Sequence, residues 1–275
     1  MKRIISMLLM LSLMTASWAL AEKQQDMENY TRYFDYQPIA NEPIGLVPGT
    51  DHSTLVLYFS RVGNTAFPED VDAVSYATLN LDSEGRLIGT AQMAACWIAE
   101  ATGGDVFPIQ TAYTYPESFE DTITVIVGQE EDDIQPQIAA YPEDLSGYDT
   151  VWLVLPIWAY TICKPARTFL ENIDLSEKTV YVFTTHCGSG MADAVQRVQE
   201  FQPNADVRRG LAISSDNPMS SQDEVLQYIY STQKHTDSSL NQFCLDADHG
   251  RLKYPNEMDA PDRIIRQFQR YGKME

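Results

Sequence analysis

Thr54-Leu-Val-Leu-Tyr-Phe-Ser-Arg-Val-Gly-Asn-Thr65 is a short apolar run that ends abruptly in a loop of hydrogen-bond donors. Leu55 to Phe59 are uninterruptedly apolar and too few for a helix, so they read as a strand covered on both faces, as in the middle of a parallel sheet. The loop offers the Ser60 and Thr65 hydroxyls, the Asn64 amide, and Gly63, whose missing Cβ lets backbone N–H groups approach a ligand. Such a loop suits a phosphate, although a Gly-Asn pair after a strand is more often only a turn.

Downstream the strand signal recurs at Asp105–Ile109, Tyr148–Leu155, Thr179–Phe183 and Val207–Ser214. Helical stretches lie between and after these strands. They run over Ala91–Ala101, with Thr90 as cap and Gly103-Gly104 as stop, then Lys164–Asn172, Met191–Phe201, and Ser220 or Ser221 to about Gln233. Pro116 opens a polar segment to Tyr141 that predicts one helix broken near Gly128 or Pro136. Ala77–Leu81 and Arg86–Ile88 flank Asp82-Ser-Glu-Gly85 and predict a hairpin within an insertion at 66–89. Five strands with interposed helices predict an α/β fold with a doubly wound parallel sheet and helices on both faces, because parallel neighbours need crossover connections.

Ligands in such sheets bind beyond the carboxyl ends of the strands, at the switch point. Three strand-end loops then converge: Ser60–Thr65, Pro156-Ile-Trp-Ala-Tyr160, and Thr184-Thr-His-Cys-Gly-Ser-Gly190. Singly, Trp158 and Tyr160 read as packing aromatics and His186 as a buried histidine. Together the loops suit a ligand with a phosphate at one end and a flat ring at the other.

Composition restricts the partners. Lys2 and Arg3 precede an apolar run from Ile4 to Met14, and Ala19-Leu20-Ala21 supplies the small residues of a cleavage site, so residues 1–21 read as a secretory signal peptide. The run is too short to remain as a membrane span, and no second candidate follows, which predicts a chain exported to the periplasm or secreted, with no integral membrane segment after cleavage. Without Lys2 and Arg3 the chain keeps 17 basic against 39 acidic side chains, a formal charge of −22. Nucleic acid and anionic membranes are thereby disfavoured, and proteins with basic surfaces are favoured as partners. Cys96, Cys163, Cys187 and Cys244 are widely and irregularly spaced, and His52, His186, His235 and His249 are scattered, so no metal site is expected. Cys163 and Cys187 fall in neighbouring loops, where a disulfide could join them, although two unpaired thiols is the simpler expectation.

The ordered set Leu57-Tyr-Phe-Ser-Arg-Val-Gly-Asn-Thr65, Ala101-Thr-Gly-Gly-Asp105, Tyr115-Pro116, Tyr148-Asp149, Pro156-Ile-Trp158, Thr168-Phe-Leu170 and Thr185-His-Cys-Gly-Ser-Gly190 resembles the flavodoxin-like family, in an exported branch with an insertion after the first strand. The resemblance covers residues 54–233, between an N-terminal extension at 22–53 and a C-terminal extension at 234–275. It implies the strand order 2-1-3-4-5 and one noncovalent FMN. By the same resemblance Ser60, Arg61, Gly63, Asn64 and Thr65 hold the phosphate, while Pro156, Ile157, Trp158, Thr185, His186, Cys187, Gly188 and Gly190 border the ring. Members commonly carry a second aromatic and a Gly where this chain has Ala159 and Tyr160, and Gly where Cys187 stands. The insertion also parts the phosphate loop from its helix, leaving Thr90 to Gln92 to supply the helix N-terminus if anything does.

The function implied is electron transfer outside the cytoplasm with redox partner proteins, and no side chain is required to be catalytic. The alternatives are an NAD(P)H-dependent quinone or flavin reductase, against which no separate dinucleotide motif is visible, and a flavin-free interaction module. In the extensions, Tyr30, Tyr33, Phe34 and Tyr36 are too aromatic for a disordered leader and are expected to pack on the domain. Pro261–Tyr271 carries Ile264, Phe268 and Tyr271 at helical spacing and predicts a short amphipathic helix.

Overall fold

The apolar runs and their crossover helices assemble around one parallel sheet in the computed structural model, which describes residues 39–68, 71, 78–82 and 84–233. The signal peptide, the aromatic part of the N-terminal extension, Cys244 and the predicted C-terminal helix lie outside the described residues. In chain order the elements are β1 (Asp51–Phe59), β2 (Leu79–Leu81), β3 (Leu87–Gly89), α1 (Thr90–Thr102), β4 (Gly104–Ile109), α2 (Phe119–Glu131), β5 (Thr150–Trp158), β6 (Thr161–Ile162), α3 (Lys164–Glu171), β7 (Thr179–His186), α4 (Ala194–Phe201), β8 (Asp206–Ser214) and α5 (Gln222–Gln233).

The sheet runs β4-β1-β5-β7-β8, with parallel pairing throughout. Counting its five long strands in chain order gives 2-1-3-4-5, as expected. β1 lies between β4 and β5, with Val56 opposite Val106 on one side and Trp152 on the other. Successive side chains of a strand point to opposite faces. Leu55, Leu57 and Phe59 therefore enter one core, with Val125, Phe169 and Val198 of α2, α3 and α4. Val56 and Tyr58 enter the other, with Ala94, Trp97 and Ile98 of α1 and Val225 and Ile229 of α5. Each fully buried Leu, Val or Phe adds about 1.5–3 kcal/mol, so this alternation fixes the register of the central strand.

Residues ahead of β1 form a strap that pairs antiparallel with the sheet edge. Val47 and Val106 exchange backbone hydrogen bonds at 2.8 Å, and Ala40 bridges Tyr113. At the opposite end of the sheet from the ligand loops, buried Asp105 accepts from Gly49 N at 2.6 Å, His52 Nδ1 at 2.9 Å and Tyr148 Oη at 2.8 Å. Burial, then the bond to Asp105, holds the Tyr148 hydroxyl well above the usual tyrosine range.

One expectation is met and two are adjusted. The predicted hairpin forms as β2–β3, with Leu79 opposite Gly89. The Pro116–Tyr141 helix is shorter and continuous through Gly128: Ser118 Oγ caps it by accepting from Asp121 N at 3.2 Å, and it stops at Asp132 before Asp133 at φ 51°. Pro156, Ile157 and Trp158 belong to β5 rather than to a loop, because β6 folds back on them with Ile162 opposite Ile157 and Thr161 opposite Trp158.

Candidate functional site

Ser60 follows β1 directly, and its Oγ accepts from Val62 N at 3.2 Å. The turn that follows is stitched downward into the protein. Asn64 Nδ2 donates to the carbonyls of Ser60 at 2.9 Å and Ile109 at 3.0 Å, while Asn64 Oδ1 accepts from Thr111 N at 2.7 Å. Gly63 O accepts from Gln110 Nε2 at 3.1 Å, and Gly63 itself stands at φ 90°, a conformation that disfavours any residue with a Cβ. Thr65 bridges Tyr115, and its hydroxyl is buried without a hydrogen-bond partner. Arg61 is buried, with one Nη donating to the carbonyls of Pro116 and Glu117 and to Thr122 Oγ1, and its guanidinium 5.1 Å from the Phe67 ring centre.

The insertion returns the chain to this loop. Thr90 N donates to Thr78 O at 3.1 Å, and Asn80 Nδ2 donates to Thr90 Oγ1 at 3.0 Å, which anchors the start of α1 on the hairpin. Gly89 lies so close to Ser60 that a Cβ there would come within 1.9 Å of Ser60 Oγ. The N-cap is this glycine, with no side chain to satisfy the first-turn N–H groups, and no acidic residue stands in the first turn. Thr90 N is taken by Thr78 O, and the N–H groups of Ala91 and Gln92, at the positive end of the helix dipole, are the ones that could receive an anion beside Ser60.

A narrow cleft with a cavity volume of about 10 Å³ joins these elements, lined by Phe59, Ser60, Arg61, Thr78, Thr90, Ala91, Pro156, Trp158 and Thr185. Pro156 and Thr185 are direct neighbours across β5 and β7. Ser60, Arg61, Pro156, Trp158 and Thr185 are thus brought together as anticipated. Gly63, Asn64 and Thr65 do not line the cleft, and neither do Ile157, His186, Cys187, Gly188 or Gly190. Thr78, Thr90 and Ala91 line it too: Thr90 to Gln92 were expected to supply the helix N-terminus, whereas Thr78 was not anticipated, and the cap is Gly89 rather than Thr90 because the helix already includes Thr90.

Two aromatic side chains divide the ring end. Trp158 is buried, with its ring edge-on to Phe59 at 5.2 Å and to Tyr115 at 5.4 Å between centres. Tyr160 is 82 % exposed at the tip of the β5–β6 hairpin. Ala159 and Tyr160 stand at φ 48° and 64°, the paired positive values of a two-residue type I′ turn, which glycine and asparagine ordinarily fill. Cys187 does not need glycine's freedom, since positive φ in its loop falls on Gly188, Gly190 and Ala192. His186 Nδ1 accepts from Gly188 N at 3.0 Å.

No disulfide joins Cys163, which is buried, to Cys187, which is exposed, so no bridge ties the two loops. Burial pushes the Cys163 thiol up to about 12. Among the described residues there is no cluster of metal-ligating side chains, and no helix is long and apolar enough to cross a membrane.

No curated protein matches the chain. A putative flavoprotein from Bacteroides uniformis is 25% identical, over 65% of this chain and 98% of that one, at a TM-score of 0.47. A putative flavoprotein from Bacteroides eggerthii is 23% identical, over 64% and 98%, at 0.43. A flavoprotein from Lactobacillus acidophilus, in complex with FMN, is 17% identical, over 63% and 99%, at 0.42. The flavodoxin family model matches residues 86–231, from the insertion hairpin through α5, and with more than half of its length so matched the chain belongs to the flavodoxin family.

Proposed function

We propose that the chain binds FMN in this cleft and carries electrons between proteins outside the cytoplasm. The observation that supports it best is the meeting of a helix N-terminus whose cap is a glycine with Ser60 and the carboxyl ends of β1, β5 and β7. In this reading the phosphate sits against the first turn of α1, with Ser60 Oγ and the unpartnered Thr78 hydroxyl as further donors. The ring lies along Pro156, Trp158 and Thr185. Bound flavin supplies one- or two-electron chemistry, and the protein's part is to hold it, exclude water and set its potential. The chain's charge of −20 disfavours adding an electron to the ring, an effect weakened by salt, and it fits a partner with a basic docking face. The signal-like leader supports export, and the lack of a separate dinucleotide motif favours a carrier over a reductase.

A second reading, a flavin-free interaction module, is favoured by one feature: the cleft's cavity volume of about 10 Å³ is far less than the roughly 300–1,000 Å³ of ordinary ligand sites. Thermal unfolding decides between them. FMN at a hundred times its dissociation constant should add about 2.7 kcal/mol and raise Tm by several degrees, whereas riboflavin, lacking the phosphate, should raise it far less. Equal effects would remove the phosphate assignment, and no effect of either would favour the flavin-free module.

A further inference from the structure

α2 buries Thr122, Val125, Ile126 and Gln129 and leaves an apolar row in solvent. Phe119, Ile123 and Val127 are 41 %, 42 % and 43 % exposed. They are four residues apart, so they form one ridge along the helix over about 12 Å. The charges on this helix and at its ends are all acidic, with Glu117, Glu120, Asp121, Glu131 and Asp132 exposed. The surrounding sequence is as one-sided: residues 87–163 hold twelve Asp and Glu and no Lys, Arg or His. The α3 cations that reach this helix, Lys164 and Arg167, pair with Asp133 and Glu130.

We propose that this ridge docks a basic amphipathic helix of a partner protein. A row of side chains four apart is the ridge that fits the groove of another helix, so the occupant's form follows from the spacing. Its charge follows from the acidic surroundings. A second copy of this chain, paired through the same face, would set like charges against each other, and an anionic membrane would be repelled. A helix with an apolar centre bordered by Lys and Arg instead puts opposite charges together at the rim, which steers association and leaves the apolar centre to hold the complex. The ridge begins beside the cleft, since the Pro116 and Glu117 carbonyls just ahead of α2 hold Arg61, which lines it. A partner so docked would be the basic redox partner proposed above, and only its redox role rests on that reading.

Fluorescence anisotropy tests this on the chain from Glu22 to Glu275 without FMN, so that failure of the cleft to bind flavin leaves the outcome readable. The probe is a labelled synthetic helix of about 18 residues, with leucine along one side and lysine elsewhere. It should bind one to one, and several-fold more weakly when salt is raised from about 0.1 to 0.5 M. Ile123→Glu and Val127→Asp should each weaken it at least tenfold although they add negative charge, which attraction by charge alone would turn into tighter binding. Tyr230→Glu, at an exposed site on α5, should leave it unchanged. No binding of the helix would overturn the proposal, as would an affinity that Ile123→Glu and Val127→Asp leave intact or raise, or equal binding of a control peptide with serine in place of leucine. A dimer by light scattering that Ile123→Glu dissociates would assign the ridge to a second copy instead, and would overturn it too.

Discussion

Asn64→Ala should destabilise the whole domain rather than only a ligand contact. The Asn64 side chain is buried and joins three separate backbone groups: it donates to the carbonyls of Ser60 and Ile109 and accepts from Thr111 N. Thr111 Oγ1, also 3.0 Å from Asn64 Oδ1, has the Tyr113 carbonyl as its other acceptor at 2.7 Å and so loses less. A net hydrogen bond is worth about 1 kcal/mol, and a buried group left unpaired costs about 1–3 kcal/mol. Three such groups give about 3–5 kcal/mol, a large part of the roughly 5–15 kcal/mol that holds a domain folded. In urea, with a slope of about 2 kcal/mol/M, the midpoint should fall by about 1.5–2.5 M without a change in slope. Asn64→Asp should be at least as harmful, because a carboxylate oxygen would then face the Ser60 and Ile109 carbonyls. A midpoint within about 0.3 M of the unaltered chain, together with lost FMN affinity, would refute the reasoning and return Asn64 to the phosphate.

Gly89→Ala should weaken FMN binding at least tenfold, since its Cβ would meet Ser60 Oγ at 1.9 Å and Ser60 Cβ at 3.2 Å; fluorescence titration checks it, and unchanged affinity would place the phosphate elsewhere. Trp158→Ala should cost about 3–5 kcal/mol in urea unfolding, because the ring fills the angle between Phe59 and Tyr115, whereas Tyr160→Ala should cost almost nothing. Replacing Ala159-Tyr160 by Asn-Gly should stabilise the chain by about 1–2 kcal/mol through relief of two left-handed residues, read as a rise in the urea midpoint. Alkylation of the native chain at pH 8 should label Cys187 and spare Cys96 and Cys163, both buried and both pushed up to about 12; labelling of either in mapped peptides would show that the core opens readily.

The fold was legible because burial and connectivity agree. Leu55–Phe59 is apolar at every position, as a strand covered on both faces must be, and the helical stretches between strands leave a parallel sheet as the solution. The site was legible only where it consists of strand ends. Ser60, Pro156, Trp158 and Thr185 follow from the sheet itself. The direction of the Asn64 side chain was not legible because it is set by Ile109 and Thr111, more than forty residues away in sequence. Gly63, Asn64 and Thr65 imitate a continuous phosphate loop, while the insertion delivers the helix N-terminus through Gly89, Thr90 and Ala91. Trp158, expected to border the ring, lines the cleft, but its edge-on orientation to Phe59 and Tyr115 beside the return strand β6 was not legible. The path of the strap depends on backbone pairing with the sheet edge, which side-chain patterning does not encode.

The most direct measurement is a titration of the chain from Glu22 to Glu275 with FMN, followed by flavin absorbance and fluorescence, with riboflavin and inorganic phosphate in parallel. FMN should bind one to one with a dissociation constant at or below about 1 μM, at least tenfold tighter than riboflavin, and phosphate should compete with it. Failure of FMN to bind, or binding of riboflavin with the same affinity and no competition by phosphate, would contradict the assignment of the cleft.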